Sequence, residues 1–248
     1  MSFDLQLDTP RYQAKLAQTD EERVQAYRLR HKVFFESRGL PGVGPLAHEG
    51  LDFEPETDPQ AEHLLILDQR TGEVVGNYRL IISSEQEPTH LYSSREFDLS
   101  HFFKNTSTPR LEVGRACIHP DHRRGAVIAL IWRALAQVLK RTSSSLLMGC
   151  TSLPAPENAQ IWHTLANTLT EHGILDLNYP ISPYHPLPET LEHGAKTLEI
   201  PTLLKFYIKA GGQLLGQPAY DSEFQCIDCF TVLEMKNLAP EFRERYFA

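Results

Sequence analysis

Basic side chains crowd the start of a helix in the run His119-Pro120-Asp121-His122-Arg123-Arg124-Gly125-Ala126. A helix N-terminus offers unpaired backbone N–H groups and a partial positive charge. Gly125 lets the backbone approach a guest closely, and arginines add forked donors. A phosphate or pyrophosphate is the natural guest. A solvated basic turn capped by Asp121 explains the same residues equally well. Just upstream stands Leu111-Glu112-Val113-Gly114-Arg115. A strict pleat puts Glu112 and Arg115 on opposite faces. A bulge at Gly114 would shift the parity by one and bring both to one cleft beside the basic turn. There Glu112 could take up a proton while Arg115 positions a carboxylate or carbonyl. A cross-strand salt bridge at a sheet edge is the plainer alternative.

The elements that must position these residues are legible from periodicity. Residues 12–17 read as a strand, and Thr19-Asp-Glu-Glu22 as a capping box. Val24, Tyr27, His31 and Phe34 follow at helical spacing. Residues 39–62 are rich in Gly, Pro, Asp and Glu and read as a long loop. Residues 63–68 and 73–82 read as an antiparallel hairpin across a Gly72 turn. The spacing predicts a strand over 111–118, a buried helix over 125–141, a strand over 146–150, helices near 157–172 and 202–210, and a strand over 224–235. The order predicts an α/β (α+β) chain: one domain over 1–248, with a mixed, mostly antiparallel central sheet flanked by helices. Residues 84–110 read as an insert and 173–248 as an irregular extension.

The chain has 248 residues, 41% of them apolar, ample for a buried core. A net charge of −8 argues against nucleic-acid binding. Two basic islands stand out, Arg28/Arg30/Lys32/Arg38 and Arg123/Arg124. They could meet an acidic partner. The N-terminus shows no signal-peptide pattern and no apolar run is long enough to span a bilayer, so a cytoplasmic setting is expected. Cys226-x-x-Cys229 is half of a zinc pattern without a second pair, so no metal site is expected.

In combination these motifs resemble the GNAT-like N-acyltransferase fold, and within it the enzymes that use acyl carrier protein. Arg30-x-x-x-Phe34, an acidic loop from Asp52, and Glu112-x-x-Arg115 resemble acyl-homoserine-lactone synthases. The ornithine N-acyltransferases of ornithine-lipid synthesis share those features. Gly114-Arg-Ala-Cys117-Ile-His119-Pro-Asp121, Gly125-Ala-Val-Ile128, Gly149-Cys150, Leu203-Leu-Lys-Phe-Tyr207 and Gly216-Gln-Pro-Ala-Tyr-Asp221 extend the resemblance to them. It spans residues 20–235. Val127 stands where the common basic turn has a second small residue, a departure that disfavours acetyl-CoA itself.

The resemblance implies transfer of a (3-hydroxy)fatty acyl group from acyl carrier protein to the α-amino group of an amino acid, most simply ornithine, giving lyso-ornithine lipid. Glu112 and Arg115 would be catalytic. His122, Arg123, Arg124, Gly125 and Ala126 would hold the phosphopantetheine of the donor, with no tightly bound cofactor. Arg30, Phe34, Asp52, Asp58 and Arg79 would bind substrate, and Arg79 reads equally as an ion-pair partner of Glu112. Arg30, Arg38, Arg123 and Arg124 are candidate contacts for the acidic carrier protein; each also reads as a solvated surface charge, the favoured reading for Arg38. Peripheral contact with the inner membrane face is compatible with an amphiphilic product. Two rivals remain: the same fold acting on another amine (glycine, lysine, glutamine, tyrosine or a homoserine-lactone type), and a non-catalytic module that binds acyl chains or carrier protein.

Overall fold

Thr19 starts the first helix as the sequence demands: its hydroxyl accepts the Glu22 backbone N–H at 3.3 Å, and three acidic residues fill the first turn. The structure is a computed structural model and describes residues 4–84, 90–106, 109–123 and 125–247. In chain order its elements are β1 (Gln6–Asp8), β2 (Tyr12–Leu16), α1 (Asp20–Phe34), β3 (Glu62–Asp68), β4 (Glu73–Ser83), α2 (Ser93–Glu96), β5 (Phe97–Asp98), α3 (Ser100–Asn105), β6 (Arg110–Ile118) and α4 (Gly125–Arg141). There follow β7 (Leu146–Pro154), α5 (Ala159–Glu171), β8 (Leu175–Asp176), β9 (Ser182–Pro183), α6 (Thr202–Ala210), β10 (Gln213–Asp221), β11 (Cys226–Glu234) and α7 (Pro240–Tyr246).

The described chain forms two compact units. The first holds residues 1–82, 113–143 and 246–248; the second holds 83–112 and 144–245. In the first, β1, β2, β3 and β4 pair antiparallel in sequence order, and the later part of β6 lies beside β4. Leu29 and Val33 of α1 pack on Cys117, with Phe34 and Val74 at the edge of that cluster. Helix α4 buries Val127, Leu130, Ile131, Leu135 and Val138 on one stripe, repeating at helical spacing. Each such side chain stabilises by about 1.5–3 kcal/mol relative to exposure.

In the second unit the opening residues of β6 pair parallel with β7. Strand β11 runs antiparallel between β7 and β10. Phe102 meets Phe230 edge to face at 5.0 Å, Phe97 lies 5.9 Å from the same ring, and Arg110 sits over Phe103. These phenylalanines are therefore core. Strand β10 was not expected: Gly216 at φ +74° and Pro218 interrupt its pattern, and the register shifts between Leu215 and Ala219. The tail forms α7 and buries Phe242.

Candidate active site

Three loop carboxylates and three guanidiniums interlock in the first unit. Arg30 projects from α1 and is fully buried. Its Nε donates to Asp52 at 2.8 Å, and its two terminal nitrogens grip Asp58 at 2.8 and 3.0 Å. That fork-on-fork geometry is the strongest form of the pair. Burial alone would lower the Arg30 pKa, but Asp52 and Asp58 outweigh it and hold the guanidinium above its ordinary value. Burial likewise pushes the Asp58 carboxyl up, and Arg30 overcomes it, so the carboxyl stays below its ordinary value.

Glu54 occupies the other end of the network. It accepts from Arg79 Nη1 and Arg115 Nη2 and from the Thr57 hydroxyl at 2.6 Å. Burial opposes its ionisation, yet Arg115 and Arg79 hold it well below the usual carboxylate range. Arg79 also donates to the Thr57 hydroxyl at 2.8 Å and lies 3.6 Å from Asp58. Arg115 Nε stands 3.3 Å from Asp52. The Arg30, Asp52, Asp58 and Arg79 side chains are at most 2% exposed, whereas Arg115 reaches 10% and Glu54 17%. The network is thus closed at Arg30 and reaches solvent at Glu54 and Arg115.

Arg115 adopts φ +48°, a left-handed conformation that costs a non-glycine residue about 1–2 kcal/mol. Its carbonyl accepts from the Asn77 side chain at 3.0 Å. This left-handed residue stands one position after Gly114, where the sequence suggested a bulge. Glu112, in the second unit, is 3% exposed. Its two oxygens accept the backbone N–H groups of Tyr92 and Ser93, each at 2.8 Å.

At the basic turn, His119 Nδ1 accepts the Asp121 N–H at 3.3 Å. His122 Nδ1 lies 3.2 Å from the Tyr12 hydroxyl and 3.8 Å from Asp68. Arg123 is exposed, with Nε donating to the Ile118 carbonyl at 3.2 Å. Arg124 lies outside the described residues. Gly125 and Ala126 are exposed at the start of α4, and a Cβ on Gly125 would meet nothing within 4 Å. A pocket of about 330 Å³ lies alongside, lined by Arg28, Lys32, Glu73, His119 and His122 among others.

The helical repeat divides the first basic island. Arg28 and Lys32, four apart, share the pocket, while Arg30 turns inward. Arg30 is therefore not a surface contact for a protein partner, which corrects that part of the sequence reading. Phe34 is half-buried against the Leu29–Val33 cluster. Sequence reasoning missed Glu54, Thr57, His63 and Asn77. Glu54 was visible only as one of several acids in a loop, with nothing to single it out.

A family model described as an acetyltransferase (GNAT) domain matches residues 29–133. The solved N-acyl amino acid synthase FeeM from uncultured soil microbes superposes with a TM-score of 0.54 at 14% identity, covering 96% of each chain. The acyl-homoserine-lactone (AHL) synthase LasI also gives 0.54, at 12% identity over 99% of this chain and 96% of its own. The mixed, mostly antiparallel sheet with flanking helices is therefore that of a GNAT-type acyltransferase. The L-ornithine N(alpha)-acyltransferase of Rhodobacter capsulatus is 31% identical, over 95% of this chain and 94% of its own. That of Brucella abortus is 25% identical over 95% and 89%. The chain belongs to the L-ornithine N(alpha)-acyltransferase family.

Proposed function

We propose that the protein moves a fatty acyl group, with a 3-hydroxyl where the donor carries one, from acyl carrier protein to the α-amino group of L-ornithine, the whole chain acting as one acyltransferase domain. The product is lyso-ornithine lipid. The observation that carries this reading is the buried Arg30–Asp52–Asp58 network. It ends in the partly exposed Glu54–Arg115 pair and is held by a strained Arg115, on a chain whose relatives are named L-ornithine N(alpha)-acyltransferase. Fixed opposite charges suit a zwitterionic amino acid: carboxylates for its ammonium groups, guanidiniums for its carboxylate.

In this reading the amine nitrogen attacks the thioester carbonyl. The C–N bond forms, the C–S bond breaks, and the thiol of phosphopantetheine leaves. The ammonium must first lose a proton, and Glu112 is the proposed base. Each of its oxygens holds one backbone N–H and keeps a further lone pair. Arg115 positions the acceptor. The donor phosphate would sit at His122, Arg123, Arg124, Gly125 and Ala126, because the first turn of a helix leaves backbone N–H groups without intrahelical partners. Arg28 and Lys32 line the adjoining pocket and add positive charge for an acidic carrier protein. Among the described residues no helix is long and apolar enough to cross a membrane. Peripheral contact with the inner membrane face, where the amphiphilic product would be delivered, is part of the proposal.

The test is turnover of purified protein with 3-hydroxyacyl carrier protein, or acyl-CoA, against a panel of free amino acids, read by mass spectrometry. N-acyl-ornithine supports the proposal. Another acylated amine corrects the acceptor, and no product with either donor refutes an enzymatic role.

A further inference from the structure

His63 lies on β3, opposite Arg79 in the ladder, and is fully buried. Neither ring nitrogen has a hydrogen-bond partner among the described residues. The ring meets Tyr27 edge-on at 5.3 Å, and Nε2 stands 3.9 Å from Asp58 Oδ1. Burial pushes its pKa down to about 4; Asp58 opposes, and Arg30 and Arg79 push it further down. The imidazole is therefore neutral near pH 7, with one donor and one acceptor.

A neutral imidazole with both nitrogens desolvated destabilises the fold, and an apolar side chain of similar size would not carry that cost. Such a group in a native interior calls for an explanation in function. The nearest acceptor is Asp58 Oδ1, and closing to hydrogen-bond length takes a movement of about 1 Å. Asp58 now accepts from both terminal nitrogens of Arg30 and from the Glu54 backbone N–H at 2.8 Å, and Arg79 Nη1 stands 3.6 Å from its Oδ1. An amino acid that opens the Glu54–Arg115 pair draws Arg79, which also holds Glu54, toward its carboxylate, and Asp58 Oδ1 then has room for another donor.

We propose that His63 is a positioning residue for the acyl acceptor: its Nε2–H closes onto Asp58 when the amino acid binds and fixes that carboxylate while Arg79 and Arg115 turn to the ligand. This rests on the reading of the network as the acceptor site. His63→Leu should raise Tm by about 2–4 °C, by removing the unpaired polar groups. It should also raise KM for the amino acid by about tenfold or more, leaving KM for the acyl donor unchanged. His63→Gln, which keeps an N–H near the Nε2 position, should restore most of the acceptor KM. In the unaltered enzyme, the His63 Nε2–H resonance should move downfield as the amino acid saturates, a measurement that does not depend on the variants folding. Unchanged acceptor KM in His63→Leu, or an unmoved resonance in an enzyme that turns over normally, overturns the role of His63 alone. Failure of the unaltered enzyme to acylate any amino acid overturns both this role and the reading beneath it.

Discussion

Arg30→Met tests whether the buried network holds the fold. The substitution keeps most of the apolar stem and removes three charge-assisted hydrogen bonds of 2.8–3.0 Å, leaving Asp52 and Asp58 buried. Removing one partner of a buried ion pair costs about 3–5 kcal/mol, because the other charge stays behind uncompensated. For a chain of this size that corresponds to a fall in Tm of about 6–20 °C at pH 7. The pH dependence sharpens the test. In the unaltered protein the Asp58 carboxyl lies below its ordinary value, so its stabilisation is present above the ordinary carboxylate range and is lost only as pH falls through the lower folded value. In the variant, burial is no longer opposed by Arg30 and pushes the carboxyl up. The ionised form then penalises folding at neutral pH, and acidification relieves the penalty. Urea unfolding of both proteins at pH 7 and pH 4.5 should show a deficit that shrinks on the acid side. A deficit below about 1 kcal/mol, or one that does not change with pH, would refute the argument that Arg30 is what makes these buried carboxylates tolerable.

Glu112→Gln should cut kcat by about 10²–10⁴ with carrier-protein binding intact, and near-normal turnover removes Glu112 from the chemistry. Glu54→Gln keeps the shape but frees two guanidiniums of their shared charge; kcat/KM for the amino acid should fall about tenfold to a hundredfold, and an unchanged value would make Glu54 purely structural. Arg123→Glu should raise KM for the acyl donor about tenfold, more at low salt, without changing KM for the amino acid; an equal effect on both substrates would detach the basic turn from the donor. Cys117 and Cys229 are buried, and burial raises both thiols, Cys117 to about 12, so alkylating reagents should label them at the rate of unfolding; rapid labelling of native protein contradicts that packing.

The parts of the fold that repeat were readable in advance. The sequence reads as a helix over 125–141 because apolar residues cover most of its faces and a basic pair closes it. The hairpin of β3 and β4 followed from two apolar runs around a glycine turn. Strand β10 escaped because Gly216 and Pro218 break its alternation, and their bulge appears only once β11 is alongside. In the site, the residue types at Arg30, Asp52, Asp58, Arg79 and Arg115 were legible, but their pairing was not. Which acid in a loop faces which arginine depends on the path of residues 51–61, and that path is fixed by bonds such as Glu54 N–H to Asp58 and Asp52 N–H to the Tyr27 carbonyl. No local sequence pattern encodes these. His63 was hidden for the same reason: in a run reading HLLILD it looks like one more strand residue.

If the network is the acceptor site, as proposed, the pairing constrains how an acceptor can enter. Asp52, Glu54 and Asp58 face Arg30, Arg79 and Arg115, three charges against three, so the network is neutral before any ligand arrives. A zwitterion added to a neutral, fully paired network gains little from net attraction; it must exchange places with existing pairs. Exchange is easiest where a pair is least buried and where the backbone already holds strain. Both conditions meet at Arg115, which is 10% exposed, left-handed at φ +48° and paired with the 17%-exposed Glu54. Opening that pair offers the amino-acid carboxylate a guanidinium and its ammonium a carboxylate in one step. The deeper Arg30–Asp58 fork, with no exposure to trade, keeps the loop in register while the outer pair exchanges.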